Sequence, residues 1–220
     1  MIARELINPL IPSLRENDDI AKATSLMDDL TVTQLPVVED TDFRGFITSD
    51  MLFDDLFSHP TVGQYQLKAQ DCFVRQDQHF YEIAKVLSDC DQSMVVVVDE
   101  QGEFAGVIDV SAMMSAFSKS SAVQSPGGII ELVVKHIDYS LAEITRLIEA
   151  DGVKILGCFI RNDNDPTRIR VTMKLDKKDI ARTVATLERF NYHVQALFQE
   201  ELIDTYEKER LDALLRYLDI

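Results

Sequence analysis

The feature that most constrains this chain is an internal repeat spaced about sixty residues. Leu35-Pro36-Val37-Val38-Glu39-Asp40 is followed by Phe43 and by Gly45-Phe46-Ile47-Thr48. Val95-Val96-Val97-Val98-Asp99-Glu100 is followed by Phe104 and by Gly106-Val107-Ile108-Asp109. Each copy reads as a buried strand, an acidic turn, a second strand beginning at glycine, and a helix. A unit this small cannot close a core alone, so the two copies are expected to pack on each other about a pseudo-twofold axis.

Helical periodicity precedes each strand pair. Ile20, Ala23, Leu26, Met27 and Leu30 form one apolar face, and Phe80, Ile83, Val86, Leu87 and Cys90 stand at the matching places. Asp18 or Asp19 is expected to cap the first helix and Asp77 the second. Met51, Leu52, Leu56 and Phe57 belong to a closing helix that ends at His59-Pro60. Residues 111–117 form its counterpart in the second copy. Helices alternate with short strands, an α/β pattern.

Ser118 to Gly128 reads as a linker by composition. A different pattern follows. A strand over 129–137 leads to Ser140 and Glu143 in capping-box spacing, and then to a helix face of Leu141, Ile144, Leu147 and Ile148. Strands are expected over 153–160 and 168–175, the second with one wet face. A helix beginning at Asp176 and a strand over 193–198 complete the order β-α-β-β-α-β, the ferredoxin-like split unit. Leu211, Leu214, Leu215 and Leu218 recur at helical spacing and predict a last helix that docks in cis or on a second subunit. The expected divisions are 1–60 and 61–120 for the repeats, 121–127 for the linker, 128–200 for the α+β unit and 201–220 for the terminal helix.

The net charge of −16 narrows the partners. A surface this acidic repels phosphate backbones and anionic lipid, which argues against nucleic acid and membranes and leaves room for a basic protein partner. No apolar run approaches the roughly eighteen residues of a membrane span. The start Met1-Ile2-Ala3-Arg4-Glu5 lacks a signal-peptide pattern, and Cys72, Cys90 and Cys158 are too few and scattered for a disulfide framework or zinc site, so a cytoplasmic location is expected. The four histidines show no ligand spacing, and no P-loop, nucleophile elbow or Cys-His pair is readable. The chain is therefore expected not to be an enzyme.

On the doubled strand-turn-glycine pattern, residues 1–120 resemble a tandem pair of cystathionine-β-synthase (CBS) domains, the Bateman module. By element order, residues 127–200 resemble an ACT domain. Together they are similar to the acetoin-utilisation-protein-B-like family of CBS–ACT proteins. The resemblance implies a regulatory homodimer that requires no cofactor and responds to a small-molecule effector. That effector would be an adenine nucleotide (AMP, ADP or ATP) between the repeats or an amino acid at the ACT domain. In CBS pairs a hydroxyl residue follows the glycine strand and an aspartate comes three positions later, with apolar strand residues, here Pro36 and Val37, flanking the adenine.

This chain departs from the pattern twice. After Thr48 the aspartate comes two positions on, at Asp50, and Met51 takes its expected place. In the second copy Asp109 replaces the hydroxyl and Ala112 the aspartate. A carboxylate at Asp109 opposes a phosphate, although it could grip a ribose or accept from a base. The first copy is then the expected site, with Thr48 on phosphate and Asp50 on ribose; Thr48-Ser49-Asp50 also reads as an ordinary helix cap. In the ACT-like half, Asp138 could hold an ammonium group and Ser140 a carboxylate, while Ser140 equally reads as a cap. The alternative function is a structural, protein-interacting dimer whose ligand sites have decayed.

Overall fold

The computed structural model describes residues 1–54 and 59–198. Leu56 and Phe57 of the first closing helix, and the Leu211–Leu218 stripe expected to form a terminal helix, lie outside the described residues. The chain divides into two compact units, Met1–Ser118 and Lys119–Ile220.

The first unit holds α1 (Ile20–Leu30), β1 (Gln34–Glu39), β2 (Asp42–Thr48) and α2 (Ser49–Asp54). It continues with β3 (Phe73–Arg75), α3 (Phe80–Cys90), β4 (Met94–Val98), β5 (Phe104–Asp109) and α4 (Val110–Ser118). β1 pairs antiparallel with β2, and β4 with β5, each pair carrying a register shift at the equivalent place near its turn, at Val37/Val38 and at Val97/Val98. β3 adds in parallel to β4. Its counterpart in the first repeat is a single parallel bridge between Leu14 and Val37. Val37 and Val97 are fully buried in one continuous core to which both repeats contribute. The two halves do fold onto one another.

The caps follow the same symmetry. Asp19 caps α1 through the Ala21 N–H. His79, not Asp77, caps α3: its imidazole accepts from the Tyr81 N–H at 3.3 Å while Glu82 accepts from the His79 N–H at 2.9 Å. An imidazole acceptor is rare at this position and escapes the usual Ser/Thr/Asp/Asn rule. Both helices end on a left-handed residue, Thr31 (φ 56°) and Asp91 (φ 53°).

What the periodicity did not announce is an exchange of arms. Residues 1–8 leave their own repeat for the second: the Ala3 N–H donates to the Gln78 carbonyl at 2.9 Å, and the Asn8 N–H donates to the Val107 carbonyl of β5 at 2.8 Å. Residues 61–70 run back to β2 of the first: the Lys68 N–H donates to the Phe46 carbonyl at 3.0 Å, and Phe46 N–H returns a bond at 2.8 Å. Gly45 within β2 and Gly106 within β5 make room for these arms. A Cβ on Gly45 would lie 2.9 Å from the Lys68 carbonyl oxygen, and one on Gly106 would lie 2.6 Å from Ile7.

The second unit contains α5 (Ser121–Gln124), β6 (Ile129–Lys135), α6 (Leu141–Ala150), β7 (Ile155–Asn162), β8 (Arg168–Leu175), α7 (Ala181–Arg189) and β9 (His193–Phe198). The sheet order is β7-β8-β6-β9, which is the ferredoxin-like topology. The expected linker thus contains a short helix, α5. The helix expected from Asp176 begins five residues later because the Asp176 carboxylate is taken by the Lys154 N–H at 2.8 Å. The expected capping box at α6 is half formed. Ser140 accepts from the Glu143 N–H at 3.3 Å, but the Glu143 carboxylate turns to the Tyr192 hydroxyl at 3.0 Å. One sheet face packs on α6 and α7 through Ile130, Leu132, Val171, Met173 and their neighbours. On the other face, Glu131 accepts from Arg161 and Arg170, both at 2.8 Å.

Candidate functional site

The strand ends that lead into α2 and α4 are equivalent in backbone and opposite in chemistry. In the first repeat Gln34 faces Thr48 across the β1–β2 pair. Residues directly opposite in an antiparallel pair project to the same face. Gln34 is 4% exposed, and neither its amide nitrogen nor the Thr48 hydroxyl has a hydrogen-bond partner among the described residues. Thr48 therefore does not cap α2, against the reading of that triplet as an ordinary cap. Two orphaned polar atoms on residues paired across one strand pair are unusual, since buried polar groups are nearly always paired and an unpaired one costs about 1–3 kcal/mol.

In the second repeat Met94 faces Asp109. One Asp109 oxygen accepts from the Ser111 hydroxyl at 2.9 Å and the Ala112 N–H at 2.6 Å, which caps α4. The other accepts from the Asn8 side-chain amide at 3.0 Å. Both oxygens of the carboxylate expected to grip a ribose or accept from a base are thus already held within the chain.

The other expected site residues fall in different places. Val37 is fully buried and Pro36 is buried beside it, its carbonyl accepting from the Leu14 N–H at 2.8 Å. They form core rather than a surface against which a base could stack. Asp50 is exposed in the first turn of α2, two residues beyond Thr48. In the second unit Asp138 lines a cavity of about 570 Å³ with Lys135, Glu143, Arg168, Tyr192 and His193. Burial pushes the Tyr192 phenol up to about 12, the hydrogen bond to Glu143 adding to the effect. Ser140 is not part of that lining and serves as the α6 cap.

Gln34 and Lys68 were not singled out from the sequence. The signal available was a break in the repeat: Gln34 stands where the second copy has Met94, and Lys68 where the first has Asn8. Elsewhere, burial raises the pKa of the Cys72 thiol, the neighbouring Cys90 adding to it, as expected of a thiol that serves packing. Among the described residues no group of three or more His, Cys, Asp or Glu side chains is placed to hold a metal ion, and no helix is long and apolar enough to cross a membrane.

Residues 3–58 match the family model of the CBS domain. Among solved structures, the chain is similar to a CBS domain pair/ACT domain protein from Thermotoga maritima. That pair is 18% identical over 53% of this chain and 96% of the other, with a TM-score of 0.49. It is also similar to CBSX2, the CBS-pair protein of Arabidopsis thaliana, in complex with AMP. There the identity is 18% over 53% of this chain and 95% of the other, with a TM-score of 0.47. A third is the CBS domain of a bacterial CNNM/CorC family Mg2+ transporter in complex with ATP, 18% identical over 52% and 85%, with a TM-score of 0.44. Taken with the repeat that residues 61–118 make of the matched segment, the first unit has the fold of a pair of CBS domains, and the second has ferredoxin-like topology.

Proposed function

We propose that this chain is a non-enzymatic metabolite sensor of the CBS–ACT kind typified by the acetoin-utilisation-protein-B-like family, and that its first repeat binds an adenine nucleotide. The observation that carries the reading is the buried, unpartnered pair of Gln34 and Thr48. A ligand with ring nitrogens and hydroxyls can satisfy an amide donor and a hydroxyl that the chain leaves unpaired. Asp50, exposed two residues on, is available to accept from ribose hydroxyls. The AMP and ATP complexes of the similar CBS proteins are in keeping with this choice. The cavity beside Asp138, lined by both signs of charge, suits a zwitterionic amino acid as a second effector.

Signalling requires the ligand to prefer one of two states of the protein, read out through a homodimer to a protein partner. Moving a state from a tenth to nine-tenths of the population takes differential binding of about 2.6 kcal/mol, within reach of one nucleotide. The bonds closing Asp109 favour a second reading, a structural dimer whose sites have decayed.

Thermal-shift and calorimetric titration with AMP, ADP, ATP and the amino acids separates the two. The sensor reading expects a saturable rise in melting temperature with at least one nucleotide, abolished in Gln34→Met, which installs the second repeat's residue. A flat response to every compound overturns it in favour of the structural dimer.

A further inference from the structure

The exchanged arms place a different residue beside each strand end. Asn8 and Lys68 are equivalent, as are Val107 and Phe46, and Asp109 and Thr48. In the second repeat the arm residue opposite Val107 reaches two residues along the strand, so that Asn8 donates to Asp109 at 3.0 Å. In the first repeat Lys68 is bridged antiparallel to Phe46 and occupies the same station relative to Thr48. Its side chain is longer than that of asparagine and carries a full positive charge. It is exposed, and it makes no ion pair among the described residues. In a chain of net charge −16, a cation with no ion pair among the described residues, bridged to the strand two residues before Thr48, is a local exception to the prevailing field.

We infer that Lys68, delivered by the second repeat's arm, is the specificity-determining contact that makes the first repeat's site select a phosphate-bearing ligand over its unphosphorylated counterpart. The inference rests on the nucleotide reading of the Gln34–Thr48 site. It also makes the two repeats unequal: the first pairs a cation with a hydroxyl and an amide that are left without partners. The second pairs an amide with a carboxylate that is already satisfied and would repel phosphate. One nucleotide per chain follows.

Calorimetric titration of the full chain with AMP and with adenosine, on wild type, Lys68→Met and Lys68→Arg, tests this. Wild type is expected to bind one AMP per chain and to prefer it to adenosine. Lys68→Met is expected to lose about tenfold in AMP affinity with adenosine affinity unchanged, and Lys68→Arg to retain the preference. AMP binding by Lys68→Met at wild-type strength, an equal loss for AMP and adenosine, or two AMP per chain overturns the inference while leaving the nucleotide reading intact. Failure of wild type to bind either compound overturns the nucleotide reading, and the assignment of Lys68 with it.

Discussion

The first repeat carries Gln34 and Thr48 at its strand end, with two buried polar atoms left unpaired, while the second carries Met94 and Asp109, with a thioether and a carboxylate whose oxygens accept three bonds. The backbones around them coincide: Ser49 donates to Thr33 as Val110 does to Ser93, and each β-strand pair shifts register at the same place. A duplicated scaffold can therefore hold one end open at a cost in stability and seal the other with internal bonds. The difference lies in side chains alone, and it is what separates a candidate binding site from a structural joint.

The largest expected effect tests whether the two arms are equally tight. Gly45 (φ +138°) and Gly106 (φ +148°) both have backbone conformations that disfavour a side chain. A Cβ at Gly45 meets Leu67 Cβ and the Lys68 carbonyl oxygen, whereas one at Gly106 meets only the Ile7 side chain. Gly45→Ala is expected to cost about 4 kcal/mol and Gly106→Ala about 2 kcal/mol, measured by urea unfolding. Equal losses would mean that the arms pack alike despite the different contacts.

The next effect sharpens the open-versus-sealed contrast directly. Asp109→Ala removes the α4 cap and strands the Asn8 amide, and is expected to destabilise by about 2 kcal/mol. Thr48→Val removes a hydroxyl that bonds to nothing and is expected to be neutral or stabilising by up to about 1 kcal/mol. Should Thr48→Val cost as much as Asp109→Ala, the Thr48 hydroxyl has a partner in solution and the contrast fails.

The smallest effect is a pH dependence confined to one repeat. Asp18 accepts from the Arg15 N–H at 2.8 Å, and Gln78 does the same for Arg75 at 2.7 Å, an acid in one copy and an amide in the other. Partial burial raises the Asp18 pKa, but the Lys22 ammonium and the Arg15 N–H outweigh it and hold the carboxyl below its ordinary value. A lowered folded pKa means stabilisation that is present above the unfolded value of about 3.9 and lost as pH falls through the folded one. Asp18→Asn is expected to flatten the acid limb of the stability curve by a few tenths of a kcal/mol, while Gln78→Ala leaves its slope unchanged. Melting temperatures measured between pH 2 and 6 decide it.

The repeat and the ferredoxin-like order were legible because both are written in local periodicity: four-residue apolar runs such as Val95–Val98, and helix faces such as Leu141, Ile144, Leu147 and Ile148. The arms were not, because residues 1–8 and 61–70 have no periodicity of their own and find partners in the opposite repeat. Asp109 shows the consequence for the site. Its sequence neighbours suggested a ligand contact, but one of its three bonds comes from Asn8, 101 residues away. Pro36 and Val37 were misplaced for a related reason. An apolar strand residue beside a cleft and one inside a core look the same in sequence, and the bridge from Leu14 that covers Val37 lies outside the repeat's motif.

The arm exchange also sets an order of assembly. During synthesis residues 1–8 have no backbone partners outside the arm until residues 76–80, and after them β5, have left the ribosome. The first repeat in turn waits for the stretch that follows it before its Phe46 edge is covered. Neither repeat is a separable part, and cutting the chain near residue 60 would leave each piece with a bare strand edge and a stray tether, a form suited to swapping between molecules rather than to folding alone.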